Sequence, residues 1–439
     1  IYASEFSDDL NHYHYGLISN SDKTNLIWGS SHLHNLYGTS PIWLSAHSYF
    51  NFDSSRLQDI HILNGLFLFI FTGLFFSEIQ KENKYYSVKQ IILFPIFFFI
   101  LIKFTRLKEF GIDRPAILFF CTIIYFYTKN FFLNNNKYIL ENFLIILIIS
   151  VCIVSIKIVY IPIFIFPILI LLRYKSKIII FDKRYLLILF IFLIFFLKSF
   201  LSSGCIIYPI SYSCIDFISW NNSRGAADLT FLAEYFNKSW TSYEGYLTKS
   251  EYIKNFNWFE TWLSRSNKEI IELFLTIILV LIISIFIFGI KKVNISKYQN
   301  ELFFLKKNLG LIIIFSLFIF FIKNPVIRMN FHVLISFLIL FIINFLSLDK
   351  GKKKLKIINI LIFIGIFFNF SKNLDRIIEK KFINDPNKAI EKYITSPKQH
   401  NLNDFIYYTG WYGETPIGNK LLIDKKYKKK LIFKVILNK

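Results

Sequence analysis

The chain has 439 residues, 54% of them hydrophobic and 53 of them Phe, more apolar material than one soluble core of that length covers with polar surface, so lipid must solvate much of it. Its formal net charge of +22 does not mark a nucleic-acid binder, because the cations stand mostly in short clusters between apolar runs, the pattern of cytoplasmic loops beside anionic lipid. Four cysteines are too few for a disulfide scaffold, and with Ile1 first and Met329 the only methionine the expectation is a fragment whose first transmembrane helix precedes Ile1.

Residues 1 to 60 form a first loop that is net acidic in a strongly basic protein: Glu5, Asp8, Asp9, Asp22, Asp53 and Asp59 stand against Lys23 and Arg56. It holds five of the eight histidines, including the pairs His12 with His14 and His32 with His34. In an extended chain both rings of such a pair fall on one side, which leaves a divalent metal open as a cofactor, although no spacing matches a strong zinc signature. Hydrogen bonding to a polar substrate is the other use for His14 and His34. Carboxylates beside a bilayer act as general bases when partial desolvation raises their pKa, and as isolated loop acids they would simply form turns.

Apolar runs suited to spanning helices follow at 61 to 77, 90 to 104, 115 to 131, 138 to 153, 158 to 172, 185 to 201, 270 to 290, 309 to 323, 327 to 347 and 355 to 370. Lys157 and Pro162 interrupt the stretch 138 to 172, which therefore reads as two helices. With ten spans, Lys81, Lys84 and Lys89, the cluster 173 to 184, and Lys350 with Lys352, Lys353 and Lys354 all fall on one side, the cytoplasm. The fold class is then an all-α polytopic membrane protein of about ten transmembrane helices. The first loop, an external loop 202 to 269 and a tail 371 to 439, read as a small mixed α/β appendage, face the periplasm.

Several cations break that pattern. Lys103, Arg106, Lys157, Lys198, Lys323 and Arg328 lie at the outer ends of predicted helices. They either snorkel to headgroups or converge on the phosphate of a lipid-linked donor, where Arg328 suits bidentate contact. Asp113 lies beside them at the external mouth of the next helix. Cys205 and Cys214 bracket a polar external segment, as a bridge or as two loop thiols.

Acids in the first external loop, another acid at a later helix mouth and many spans followed by an external tail resemble the GT-C superfamily of membrane glycosyltransferases. More closely, Asp9-Leu-Asn-His-Tyr-His14, Gly29-Ser-Ser-His-Leu-His34, Ser203-Gly-Cys-Ile-Ile-Tyr-Pro209, Asn324-Pro-Val-Ile-Arg328 and Trp411-Tyr-Gly-Glu-Thr-Pro416 look like motifs of a family of bacterial polytopic membrane proteins without an established activity. The GT-C resemblance implies Asp9, or its neighbour Asp8, as catalytic base and Asp113 as a second acid. It implies a polyprenyl-linked sugar donor and a glycan acceptor, and the histidines and anomalous cations above supply His14, His34, Lys157, Lys198 and Arg328 as the residues expected to bind substrate. The expected function is inverting sugar transfer to a lipid-linked glycan or surface polysaccharide. A polysaccharide polymerase and a non-enzymatic transporter or flippase are the alternatives.

Overall fold

The computed structural model describes residues 28–32, 34–39, 41–50, 62–81, 88–104, 111–130, 139–175, 182–239, 245–289, 299–345 and 355–378. It also describes His14, Leu17 and Ile18, and in the tail residues 398–402, 405–409, 427–430 and 433–436. Asp8, Asp9, His12 and Arg106 lie outside the described residues, as does the motif 411–416.

Each of the ten apolar runs is helical over its described residues. Among these, seven helices are long and apolar enough to cross a membrane: Ile62–Gln80, Ile139–Ile156, Tyr185–Ser203, Phe259–Phe288, Asn300–Ile322, Ile327–Phe345 and Lys356–Asp375. The membrane part of the chain is thus all-α and polytopic. The other three runs fall short of the expected ten for physical reasons. Val88–Lys103 has 16 residues, against the ~20 that a hydrocarbon core takes. Asp113–Asn130 carries Asp113, Arg114 and Lys129, and Ile158–Tyr174 is a shorter apolar helix.

Burial sorts these helices into inner and outer ones. From Ile91 to Leu101 the 88–103 helix is buried on every side, as a helix apolar all round must be, and it packs against the 62–80, 259–288, 331–345 and 355–378 helices. By contrast, Leu186, Leu187, Leu189, Phe190, Leu193 and Leu197 on the 185–203 helix are exposed. So are Phe363, Phe367 and Phe370 on the Leu355–Ile378 helix. Exposed apolar faces of this extent are lipid faces.

The break at Lys157 is real. Lys157 is extended, with φ −158° and ψ 121°, and a 3₁₀ segment Ile158–Phe164 containing Pro162 leads into the helix Ile165–Tyr174. Both pieces pack back on the 139–156 helix, so 139 to 174 is a hairpin and not one long rod.

Polar contacts tie the helices together at two opposite ends. At one end Glu78 pairs with Lys81 (2.8 Å) and Lys89, and Gln90 donates to the Glu78 and Ile79 carbonyls, each at 3.2 Å. Arg173 meets Glu301 at 2.6 Å, and Lys306 meets Asn344 at 2.6 Å. At the other end Lys103 pairs with Glu272 (2.7 Å), and Asn369 donates to the Leu101 and Phe104 carbonyls, each at 3.2 Å. Apolar helices gain little from one another when lipid is the alternative solvent, so such polar ties and close packing fix their arrangement.

Beyond this second end lies a small helical unit. It comprises Ser223–Ser239, the short turn of helix Lys249–Tyr252 and the start of Phe259–Phe288. Tyr235, Tyr252, Trp258 and Trp262 make its core, joined to the membrane helices through Phe320. Thr248 and Glu251 cap the short helix reciprocally. In the tail, two antiparallel hairpins pair Lys398–Leu402 with Phe405–Thr409 and Tyr427–Lys430 with Phe433–Ile436.

Candidate functional site

Asp113 is the first residue of its helix, where the unpaired N–H groups and the helix dipole favour a carboxylate. Lys157 follows the C-terminus of the 139–156 helix, where the dipole favours a cation. Arg328 stands in the 3₁₀ turn Ile327–Asn330, which closes through Met329 N–H to Val326 C=O at 3.2 Å and Asn330 Nδ2 to the same oxygen at 2.9 Å. The bundle brings the three together. Lys157 Nζ donates to Asp113 Oδ1 at 3.0 Å, and Arg328 Nε lies 3.6 Å from Asp113 Oδ2. Each carboxylate oxygen thus faces a different cation, and three separate stretches of chain converge on one charged point.

Two more groups lie within electrostatic range of this point. His14 is buried and lies within reach of the Asp113 charge. Tyr160, in the 3₁₀ segment after Lys157, is 0% exposed, and its hydroxyl is in range of the charges of both Asp113 and Arg328. Behind it, the His332 ring meets the Tyr160 ring edge-on at 5.4 Å, and His332 Nε2 is 2.9 Å from Ser316 Oγ. Lys157 and Arg328 stood out in the sequence against the charge bias, Asp113 by its place at a helix mouth and the GT-C resemblance, and His14 in the histidine-rich first loop. Tyr160, Ser316 and His332 escape a sequence reading because an aromatic or serine in an apolar run looks like ordinary packing. The one available signal was position, since Tyr160 is three residues from Lys157.

Lys198 goes elsewhere. Its amino group meets the Ser45 hydroxyl on the short helix Ile42–Ser48. That helix is held by Trp43 Nε1 donating to Asn64 Oδ1 at 2.8 Å, and Asn64 Nδ2 donates on to the Gly111 carbonyl at 3.4 Å. A chain of polar contacts therefore runs from the first loop to within two residues of Asp113. Lys103 and Lys323, also among the anomalous cations, are taken up by Glu272 and Glu234.

His34 serves its own turn. Its Nδ1 accepts the Leu36 N–H at 3.2 Å and caps the turn Asn35–Gly38. The stretch around it docks on the segments that flank the 203–209 motif. Gly29 N–H donates to Leu201 C=O at 2.9 Å, His32 Nε2 lies 3.3 Å from Trp220 O, and Asn222 Nδ2 donates to Ser31 Oγ at 3.1 Å. Close approach explains the glycines. A Cβ on Gly38 would stand 2.7 Å from the Tyr208 ring, and one on Gly204, whose φ is +74°, would stand 2.7 Å from Asn221 Cα. Cys205 and Cys214 are joined as a disulfide in this same region. Two motifs far apart in sequence are therefore the two halves of one packed corner.

Among the described residues no three His, Cys, Asp or Glu side chains group as metal donors. Asp113, with a lysine and an arginine on its two oxygens, does not fit a divalent cation, and no step below runs through one.

Fold and site together define a multi-pass helical membrane protein with a charged cluster built where helix termini meet at one end of the bundle. Residues 3–335 match the family described as Domain of unknown function (DUF8201), and the chain belongs to that family. No curated protein and no solved structure matches it.

Proposed function

We propose that this protein is a glycosyltransferase that moves a sugar from a polyprenyl-phosphate-type donor to a lipid-linked glycan or surface polysaccharide at the periplasmic face of the inner membrane. The observation that carries the reading is the convergence of Asp113, Lys157 and Arg328 at 3.0 and 3.6 Å. Charged groups are costly among membrane helices and mark functional sites there. A lysine and a side-chain arginine that is 48% exposed supply what a departing phosphate needs, a point charge and a planar fork.

The base in this reading is Asp9 or Asp8. His14 lies within electrostatic range of Asp113, and Asp9 is five residues earlier, a chain length of at most ~18 Å. The carboxylate takes the proton of the acceptor hydroxyl, the oxygen attacks the anomeric carbon, and the bond to phosphate breaks with its electron pair leaving on the phosphate oxygen. Lys157 and Arg328 stabilise that charge. In this reading the three shorter helices also cross, giving ten spans; the positive-inside bias puts Lys81, Lys89 and the 350–356 lysines in the cytoplasm and the cluster at the periplasmic end. The tail, with its two hairpins, forms a small appendage on that same side.

Transfer from a radiolabelled polyprenyl-phosphate sugar in membranes tests the chemistry. Replacing Asp8 and Asp9 together by Asn is expected to cost ~10² to 10⁴ in rate, the usual worth of a general base. Undiminished transfer by the folded double variant rejects the assignment. Cysteine labelling tests sidedness, with positions 82, 180 and 352 expected inside and position 400 outside.

A further inference from the structure

Tyr160 is fully buried, yet its hydroxyl has no hydrogen-bond partner among the described residues. A buried polar group left unpaired costs as much as its lost hydration, so it calls for a partner. His332, whose ring stacks edge-on against the phenol, instead bonds Ser316. The geometry around the hydroxyl is also particular. Tyr160 is held by its backbone N–H to the Lys157 carbonyl at 3.1 Å, so the phenol and the Lys157 amine are carried by a single turn of chain. The charges within range of its hydroxyl, Asp113 and Arg328, are the other members of the cluster.

We infer that Tyr160 is a binding residue whose hydroxyl donates to a phosphoryl oxygen held between Lys157 and Arg328. This rests on the proposed reading of the cluster and deepens it by adding a neutral donor from the buried side. Lys157 and Arg328 approach from more exposed positions, with side-chain exposures of 25% and 48%. Tyr160 adds to these two cations a neutral donor carried on the same turn as Lys157. A phenol suits that role because, unlike another cation, it adds a directed hydrogen bond without a further desolvated charge. The ligand class is a phosphate ester or phosphate itself, and the lipid-borne and free forms share this chemistry.

The test uses the full chain in detergent and follows its thermal unfolding midpoint against geranylgeranyl phosphate, inorganic phosphate, phosphatidylglycerol and, as control, geranylgeraniol. The wild-type chain is expected to be stabilised by the prenyl phosphate and not by the alcohol. Tyr160→Phe should weaken that binding about tenfold or more, the worth of a hydrogen bond to a charged group. Without ligand, Tyr160→Phe should unfold at the same midpoint or higher, because it removes a hydroxyl that had no partner. A purely structural hydroxyl would give the opposite pattern, a lower ligand-free midpoint with unchanged binding, and that result overturns the inference. A prenyl-phosphate response lost in Arg328→Gln but intact in Tyr160→Phe overturns the Tyr160 contact and leaves the transfer reading standing. A response to inorganic phosphate or phosphatidylglycerol as strong as that to the prenyl phosphate, and weakened in Tyr160→Phe, supports the contact while removing the lipid-carrier donor. No response of the wild-type chain to any phosphate overturns both.

Discussion

The Asp113–Lys157 pair sets the relation between the 113–130 helix and the hairpin that follows it, and a double-mutant cycle measures how strongly. At 3.0 Å and an effective dielectric constant of about 20, Coulomb's law gives an attraction of roughly 5.5 kcal/mol before desolvation. Desolvation offsets much of that. Exposed pairs net about 0.2–1 kcal/mol, whereas breaking a buried pair costs about 3–5 kcal/mol. With side chains 17% and 25% exposed, this pair falls between, so a coupling of about 2 kcal/mol is expected. The perturbations are Asp113→Asn, Lys157→Met and the two combined, followed by reversible unfolding in mixed micelles. Each single variant should lose about 2 kcal/mol, and the double variant should lose less than their sum by about the coupling. Arg328→Gln should cost under ~1 kcal/mol, because its Nε stands 3.6 Å away on a half-exposed side chain. Additivity of the two single losses to within ~0.5 kcal/mol would refute the pairing as an energetic tie.

Two further outcomes follow from local geometry. Gly204→Ala forces an L side chain into a left-handed backbone with a 2.7 Å approach to Asn221 Cα; a loss of at least ~2 kcal/mol in the same unfolding assay is expected. Asp182 is pushed down from 3.8 to about 2 by hydrogen bonds from the Arg184 side chain and backbone, so its contribution to holding the start of the 185–203 helix is complete above pH 3.8 and is lost as the pH falls through about 2. Hydrogen exchange of the amides at 184–186 should rise over that acid window, and Asp182→Asn should show the raised exchange at every pH.

Much of the bundle was legible because a membrane helix satisfies its own backbone and announces itself by apolar length. The split at Lys157 was legible for the same reason, since a charge and a proline midway along such a run interrupt both the apolar length and the hydrogen-bond ladder. Lys157 and Arg328 stood out because neither cytoplasmic retention nor solubility requires a cation at those helix ends. What escaped depends on partners distant in sequence. Glu234 sits on a polar helix with nothing local to distinguish it, yet it meets Lys238 at 2.6 Å and Lys323, 89 residues on. The Gly29–His34 motif read as a candidate ligand set, while in the folded chain His32 and His34 face Trp220 and Leu36, because a histidine's nitrogens serve a backbone turn as readily as a substrate. Lys198 looked like one more phosphate ligand until the 42–48 helix, invisible in so short a segment, brought Ser45 to it.

The outer helical unit grips the link between the 299–322 and 331–345 helices at two points. Lys323 is clasped by Glu234, and the Pro325 carbonyl receives the Trp262 indole N–H at 2.6 Å. Arg328 follows only three residues later, too short a tether to swing independently. Its guanidinium is therefore indexed to the outer unit as well as to the membrane helices, like a pointer pinned to a dial. A tilt of the outer unit would therefore reach the charged cluster through Lys323 and Pro325, as well as through the 259–288 helix that begins within that unit.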